Sequence, residues 1–229
     1  MNEDPINCWD ELDFWKSIHW FKLHNFLDNE EADGKIILPH RDLRLRCFRE
    51  TPYKDVKAVI LGQDPYPVRS YANGLSFCLP PAIATRPKTF TNIIEEYCSD
   101  LGFPAPVCPD LASWAASGVL LFNSILSVEH RKPLSHEGKG WEQLTYEVMS
   151  RLSHEKERLV FILWGFRAWS WKPRIDGAKH LVITSTHPSM WSASRKSKYV
   201  DSFFKSRPFS RTNGYLKEHG VGPINWRLT

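Results

Sequence analysis

The sequence predicts an α/β fold: a three-layer α/β/α domain around a central, mainly parallel sheet of four strands. Two observations predict it. Four short runs are apolar through most of their length, as strands buried on both faces of a parallel sheet must be. Segments with helical spacing lie between them, so right-handed strand–helix–strand crossovers connect the strands.

The elements follow in chain order. Residues 1–33 carry nine acids against two lysines. They read as an acidic N-terminal helical segment packed on the domain, with mimicry of DNA by the acids as the alternative. The first strand is Val56–Leu61. The Pro-rich stretch Leu79–Pro87 is a loop, because proline removes backbone donors and fixes φ. Phe90, Ile93, Ile94 and Tyr97 share one face and predict a helix over Phe90–Cys98. Pro109-Asp110-Leu111 opens a short helix that Gly118 ends. Val119–Phe122 is the second strand. Leu144, Val148 and Leu152 place a helix over Trp141–Leu152. Leu159–Leu163 and Leu181–Thr184 are the third and fourth strands. There is no repeat and no long linker, so one domain is expected over 1–229, long enough to bury its core without disulfide or metal.

Composition narrows the function classes. A chain that is 42% hydrophobic and 24% charged is not largely disordered. No apolar run approaches the ~20 residues of a membrane helix, and the acidic N-terminus does not resemble a secretory signal. The five cysteines are widely spaced and contain no C-x-x-C pair. They read as reduced thiols of a cytosolic-type compartment, not as a zinc site. A monomer free of membrane is expected, cytoplasmic, or nuclear in a eukaryote. The net charge of +4 hides an asymmetry. Residues 190–211 hold Arg195, Lys196, Lys198, Lys205, Arg207 and Arg211 against Asp201 alone. A basic body with such a cluster suits a polyanion, nucleic acid above all.

The strand ends carry the chemistry, because ligands of open α/β sheets bind beyond the carboxyl ends of the strands. The first strand runs into Gly62-Gln63-Asp64-Pro65-Tyr66-Pro67 and the second into Asn123-Ser124. The third runs into Trp164-Gly165 and the fourth into Ser185-Thr186-His187-Pro188-Ser189. An Asp, an Asn and a His therefore meet at one edge. Singly, each is a common turn former, cap or structural residue. Together they make a candidate site. The chain has no nucleophile elbow, phosphate-binding loop, dinucleotide fingerprint or zinc-deaminase pattern.

These residues carry a resemblance. Gly62-Gln63-Asp64-Pro65-Tyr66 resembles the water-activating loop of family 1 uracil-DNA glycosylases. Thr51–Leu61 before it and Asn73-Gly74-Leu75-Ser76-Phe77 after it agree. Leu120-Leu121-Phe122-Asn123 resembles the family's uracil-reading strand end. Gly140–Thr145 resembles its central helix, and His187-Pro188-Ser189 with Ser192-Ala193 its DNA-intercalation loop. The resemblance spans roughly residues 36–200. It implies a repair enzyme that flips deoxyuridine out of single- or double-stranded DNA and hydrolyses its N-glycosidic bond, leaving an abasic site, with no metal and no cofactor. Asp64 would activate water and stabilise the oxocarbenium-like sugar, and His187 the uracil anion. Asn123 would read N3–H and O4, Phe77 would stack on the ring, Tyr66 would exclude a C5 methyl, and Gln63 would help hold the base. Pro67, Thr89, Ser189, Ser192 and Arg195 would lie against DNA. A non-catalytic DNA-binding or scaffold descendant of the fold is the alternative.

The chain departs from the family at three places. Pro67-Val68 replaces a His-Gly pair whose His contacts phosphate; Pro67 offers neither side-chain donor nor N–H, and Arg69 is the candidate substitute. Phe166-Arg167 stands where a small polar residue or Lys contacts DNA. Met190-Trp191 replaces Pro-Leu, which makes Trp191 the expected wedge in place of Leu, unless it packs into the body. The phage inhibitor of this family grips the wedge Leu in an apolar pocket. An indole fits that pocket badly, so weak or absent inhibition is expected.

Overall fold

The computed structural model describes residues 9–107 and 110–228; the expectations for residues 1–8, Cys108 and Pro109 lie outside the described residues. Helix α1 (Ile18–Ala32) starts where the Ser17 hydroxyl accepts the Trp20 N–H. Leu23 and Leu27, four residues apart, bury its inner face. The acids of α1 are half-buried along its flank, and Glu31 binds Arg41 and Arg44. Trp9, Leu12 and Phe14, just before α1, are buried in the main core.

Strand β1 (Ile37–Leu38) and helix α2 (Arg46–Glu50) lead to β2 (Ala58–Gly62). Helices α3 (Lys88–Leu101) and α4 (Ala112–Ala116) separate β2 from β3 (Val119–Asn123). Then come β4 (Val128–Glu129), α5 (Trp141–Glu155), β5 (Val160–Trp164), α6 (Phe166–Trp169), β6 (Leu181–Ser185) and α7 (Pro208–Glu218). The sheet order is β3-β2-β5-β6, and every pairing in it is parallel. The antiparallel component is a separate ladder, β1 with β4. Every residue of β2, β3 and β5 is buried, which is why their sequences are apolar throughout, except for Asn123 at the end of β3. β2 begins two residues later than the sequence suggests, because Val56 closes a 3₁₀ turn at Tyr53–Asp55.

Helix α7 was not expected from the basic stretch that contains its start. Its first turn is capped from a distance: the Asp100 carboxylate of α3 accepts the N–H groups of Phe209 (2.9 Å) and Ser210 (2.8 Å). Glu96, one turn earlier, accepts those of Lys205 (2.7 Å) and Arg207 (2.9 Å). α7 then buries Phe209 and Leu216, each stabilising by ~1.5–3 kcal/mol. Among the described residues no helix is long and apolar enough to cross a membrane.

β3 lies on one side of β2 and β5 on the other. The chain therefore reverses its winding at β2, and a crevice opens beyond the carboxyl ends there.

Candidate active site

That crevice is a recess of about 290 Å³. Its walls include Gln63, Asp64, Tyr66, Pro67, Phe77, Thr89, Asn123 and His187. Eight of the twelve residues singled out in the sequence are thus brought together. Ser189 and Ser192 lie in the turn that follows His187, their hydroxyls 3.2 Å apart. Trp191, 70% exposed, projects from that turn and does not pack into the body. Arg195 is exposed beyond it. A larger cleft of about 1050 Å³, between the N-terminal segment and α5, holds none of these residues. Convergent polar groups, not size, mark a site.

Asp64 is held at both carboxylate oxygens. The Gln63 side-chain amide donates to Oδ1 (2.9 Å) and the Leu134 N–H to Oδ2 (2.8 Å). Each oxygen keeps a lone pair for a further donor. Leu134 reaches this position with φ +62°, and Phe77 stands at φ +60°. Left-handed backbone costs large side chains on the order of 1–3 kcal/mol.

Asn123 ends β3 directly opposite Gly62 of β2 and is only 6% exposed. Its carboxamide folds across Gly62: a Cβ there would lie 2.1 Å from Asn123 Oδ1 and 3.0 Å from Ser76 Cβ. Among the described residues no group hydrogen-bonds this carboxamide, so its donor and acceptor are free for a ligand. Phe77 meets Trp164 at 5.3 Å between centroids and His187 at 6.1 Å. Tyr66 packs edge-on against Tyr71, and burial pushes its phenol pKa up, so it stays neutral.

His187 is held as one tautomer. Its Nδ1 accepts the Ser189 N–H (3.0 Å), so the neutral ring carries its proton on Nε2. Burial holds its pKa below the ordinary value, which keeps it neutral near pH 7. Gly165, at φ +89°, makes room: a Cβ there would lie 2.8 Å from the His187 Cβ. Asn92 of α3 donates to the Pro188 carbonyl (2.8 Å) and fixes the loop. Sequence reading noted Gly62 and Gly165 but gave them no role, and it missed Asn92 and Leu134. A glycine at a strand end was the available signal; nothing local marks the other two.

The arrangement combines a fixed carboxylate, a neutral ring donor, an unbonded amide and an aromatic wall. Residues 48–217 match the family model described as Uracil DNA glycosylase superfamily.

The chain belongs to this superfamily.

A uracil-DNA glycosylase of Mycobacterium leprae is 46% identical over 207 residues, covering 90% of this chain and 88% of that protein. The crystal structure of mimivirus uracil-DNA glycosylase superposes with a TM-score of 0.85 at 30% identity, covering 94% of this chain and 85% of that one. A mimivirus variant crystallised in complex with the protein UGI superposes with a TM-score of 0.89 at 29% identity, covering 99% and 89%. The activity is that of the superfamily: a DNA-repair glycosylase, hydrolysing N-glycosyl bonds to remove uracil.

Proposed function

We propose that the recess at Asp64, Asn123 and His187 takes a deoxyuridine flipped out of DNA, and that these residues perform the hydrolysis. A base in a duplex stack is out of reach, so the nucleotide must leave it. The single observation that carries this reading is the unbonded, buried Asn123 carboxamide facing a recess bounded by Phe77. An amide presents one acceptor and two donors, the complement of uracil N3–H and O4. Tyr66 closes the space a C5 methyl would need. As the glycosidic bond breaks, negative charge grows on uracil, and the Nε2–H of neutral His187 donates to O2. A donor fixed beforehand needs no reorganisation at that moment. Positive charge grows on the sugar, and Asp64 stabilises it and orients the attacking water. Thr89, Ser189, Ser192 and Arg195 contact the phosphates, with Pro67 supplying no donor.

Exposed Trp191 serves as the wedge that fills the gap left in a duplex. Trp191→Ala then lowers excision from duplex DNA more than from single strands. Its indole also obstructs the apolar pocket of the family's inhibitor, so titration gives weak inhibition of wild type and tight inhibition of Trp191→Leu. The enzyme acts as a monomer in the compartment that holds the DNA. Release of uracil from a uracil-containing oligonucleotide in EDTA tests the reading. No release, with binding intact, would support a non-catalytic descendant instead.

A further inference from the structure

Beside the recess the surface carries aromatic rings that the base pocket does not use. Helix α6 begins immediately after Gly165, and its first residue, Phe166, is 73% exposed. Phe166 meets Trp169 edge-on with centroids 5.4 Å apart. Trp169 in turn meets Tyr199 at 6.1 Å, their planes 40° apart. Tyr199 comes from the loop after His187 and is also 73% exposed. Three rings, two exposed and the middle one, Trp169, half-buried against the core, therefore bridge the loops that follow β5 and β6. A lone exposed apolar residue means little, but a contiguous set calls for a reason.

The position and the charge supply one. Phe166 and Arg167 line a second recess of about 310 Å³ that shares Gln63, Phe77 and His187 with the first. The Lys198 ammonium stands 5.8 Å from the Tyr199 ring centre. Arg167 is paired with Glu137 and Lys196 with Asp201. Among the described residues no carboxylate pairs with Arg195 or Lys198. Rings interleaved with cations that no carboxylate neutralises are the chemistry of single-stranded nucleic-acid binding: bases stack on the rings and phosphates meet the cations. A duplex keeps its base faces stacked on one another and offers none to the rings.

We propose that Phe166, Trp169 and Tyr199 form a stacking ladder for the unpaired bases that flank the deoxyuridine in single-stranded DNA, with Arg195 and Lys198 holding the phosphates. The proposal rests on the reading of the first recess as the base pocket. It makes the chain a better enzyme on single strands as the flank lengthens along the ladder.

Two measurements test it. The first is the anisotropy of a labelled, uracil-free oligo(dT) of twelve nucleotides with the full chain. Phe166→Ala and Tyr199→Ala each raise Kd about 5-fold or more, the loss of one base–ring stack. Phe166→Tyr restores binding, and Tyr146→Ala, an exposed ring on α5, leaves it unchanged. The second is uracil release from single strands of increasing length. KM rises in the ladder variants on a twelve-nucleotide strand, and the penalty shrinks on a trinucleotide. Unchanged Kd and KM when Phe166→Ala and Tyr199→Ala are combined would overturn the ladder. If wild type released no uracil while the ladder variants still lost oligo(dT) binding, the base-pocket reading would fail and the ladder would stand.

Discussion

Gly62→Ala isolates the placement of Asn123. Gly62 lies in a strand whose backbone an alanine adopts without strain, so only the added methyl acts. That methyl would lie 2.1 Å from Asn123 Oδ1, with Ser76 Cβ at 3.0 Å on another side. Ordinary contact begins near 3.4 Å, so the carboxamide must retreat by about 1 Å. A displacement of that size at a reacting centre costs ~10²-fold in rate. Overpacking a buried site also destabilises by ~1–3 kcal/mol. In a chain of this length that lowers Tm by about 2–4 °C per kcal/mol. The assay is kcat/KM for uracil release from a short single strand, beside thermal melting. Gly177→Ala, where a Cβ meets nothing within 4 Å, is the control and leaves both unchanged. A folded Gly62→Ala enzyme within threefold of wild-type kcat/KM would refute the claim that Asn123 works from its position over Gly62.

Asp64→Asn keeps the fold and DNA binding, because an amide still accepts the Leu134 N–H, but turnover falls by about 10²-fold or more as the charge opposite the sugar is lost. Steady-state and binding assays separate the two, and near-normal turnover would remove Asp64 from the mechanism. Asn123→Asp admits some cytosine and Tyr66→Ala some thymine, each read by release of the new base from a matched oligonucleotide; failure of both would overturn the pocket assignment. His136 is buried beside Ser127, and burial, with Arg44 and Lys139 nearby and Glu30 and Glu129 opposing, pushes its pKa down to about 4. The unfolded chain protonates this group near pH ~6.5. Its contribution is therefore complete above that pH and is lost as pH falls toward 4, by ~3 kcal/mol. Denaturant titrations from pH 7 to 4 should show a shallower loss of stability in His136→Asn, and equal slopes would refute the assignment.

Much of the fold was legible because burial on both faces demands apolar residues along a strand, broken here only where Asn123 ends β3. That requirement marks β2, β3 and β5 in the sequence without reference to anything distant. The candidate site was legible for a related reason. Parallel strands deliver all their carboxyl ends to one edge, so Asp64, Asn123 and His187 had to converge once the strands were placed. The rest depends on partners far along the chain. Helix α7 has no side-chain cap of its own, and its first turn is satisfied by Asp100, 110 residues earlier than Ser210. Asp64 is oriented by the Leu134 N–H, 70 residues away. Asn123 is freed for a ligand by the missing side chain of Gly62 on the neighbouring strand, and His187 has room because Gly165 lacks one. Exposure of Phe166, Tyr199 and Trp191 likewise followed from how two strand-end loops meet, since an aromatic residue in a sequence reads equally well as core. Local patterns determine which segments are strands and which ends carry chemistry; contacts between segments decide which hydrogen-bonding groups are used up and which are left open, and that is settled only when the layers close.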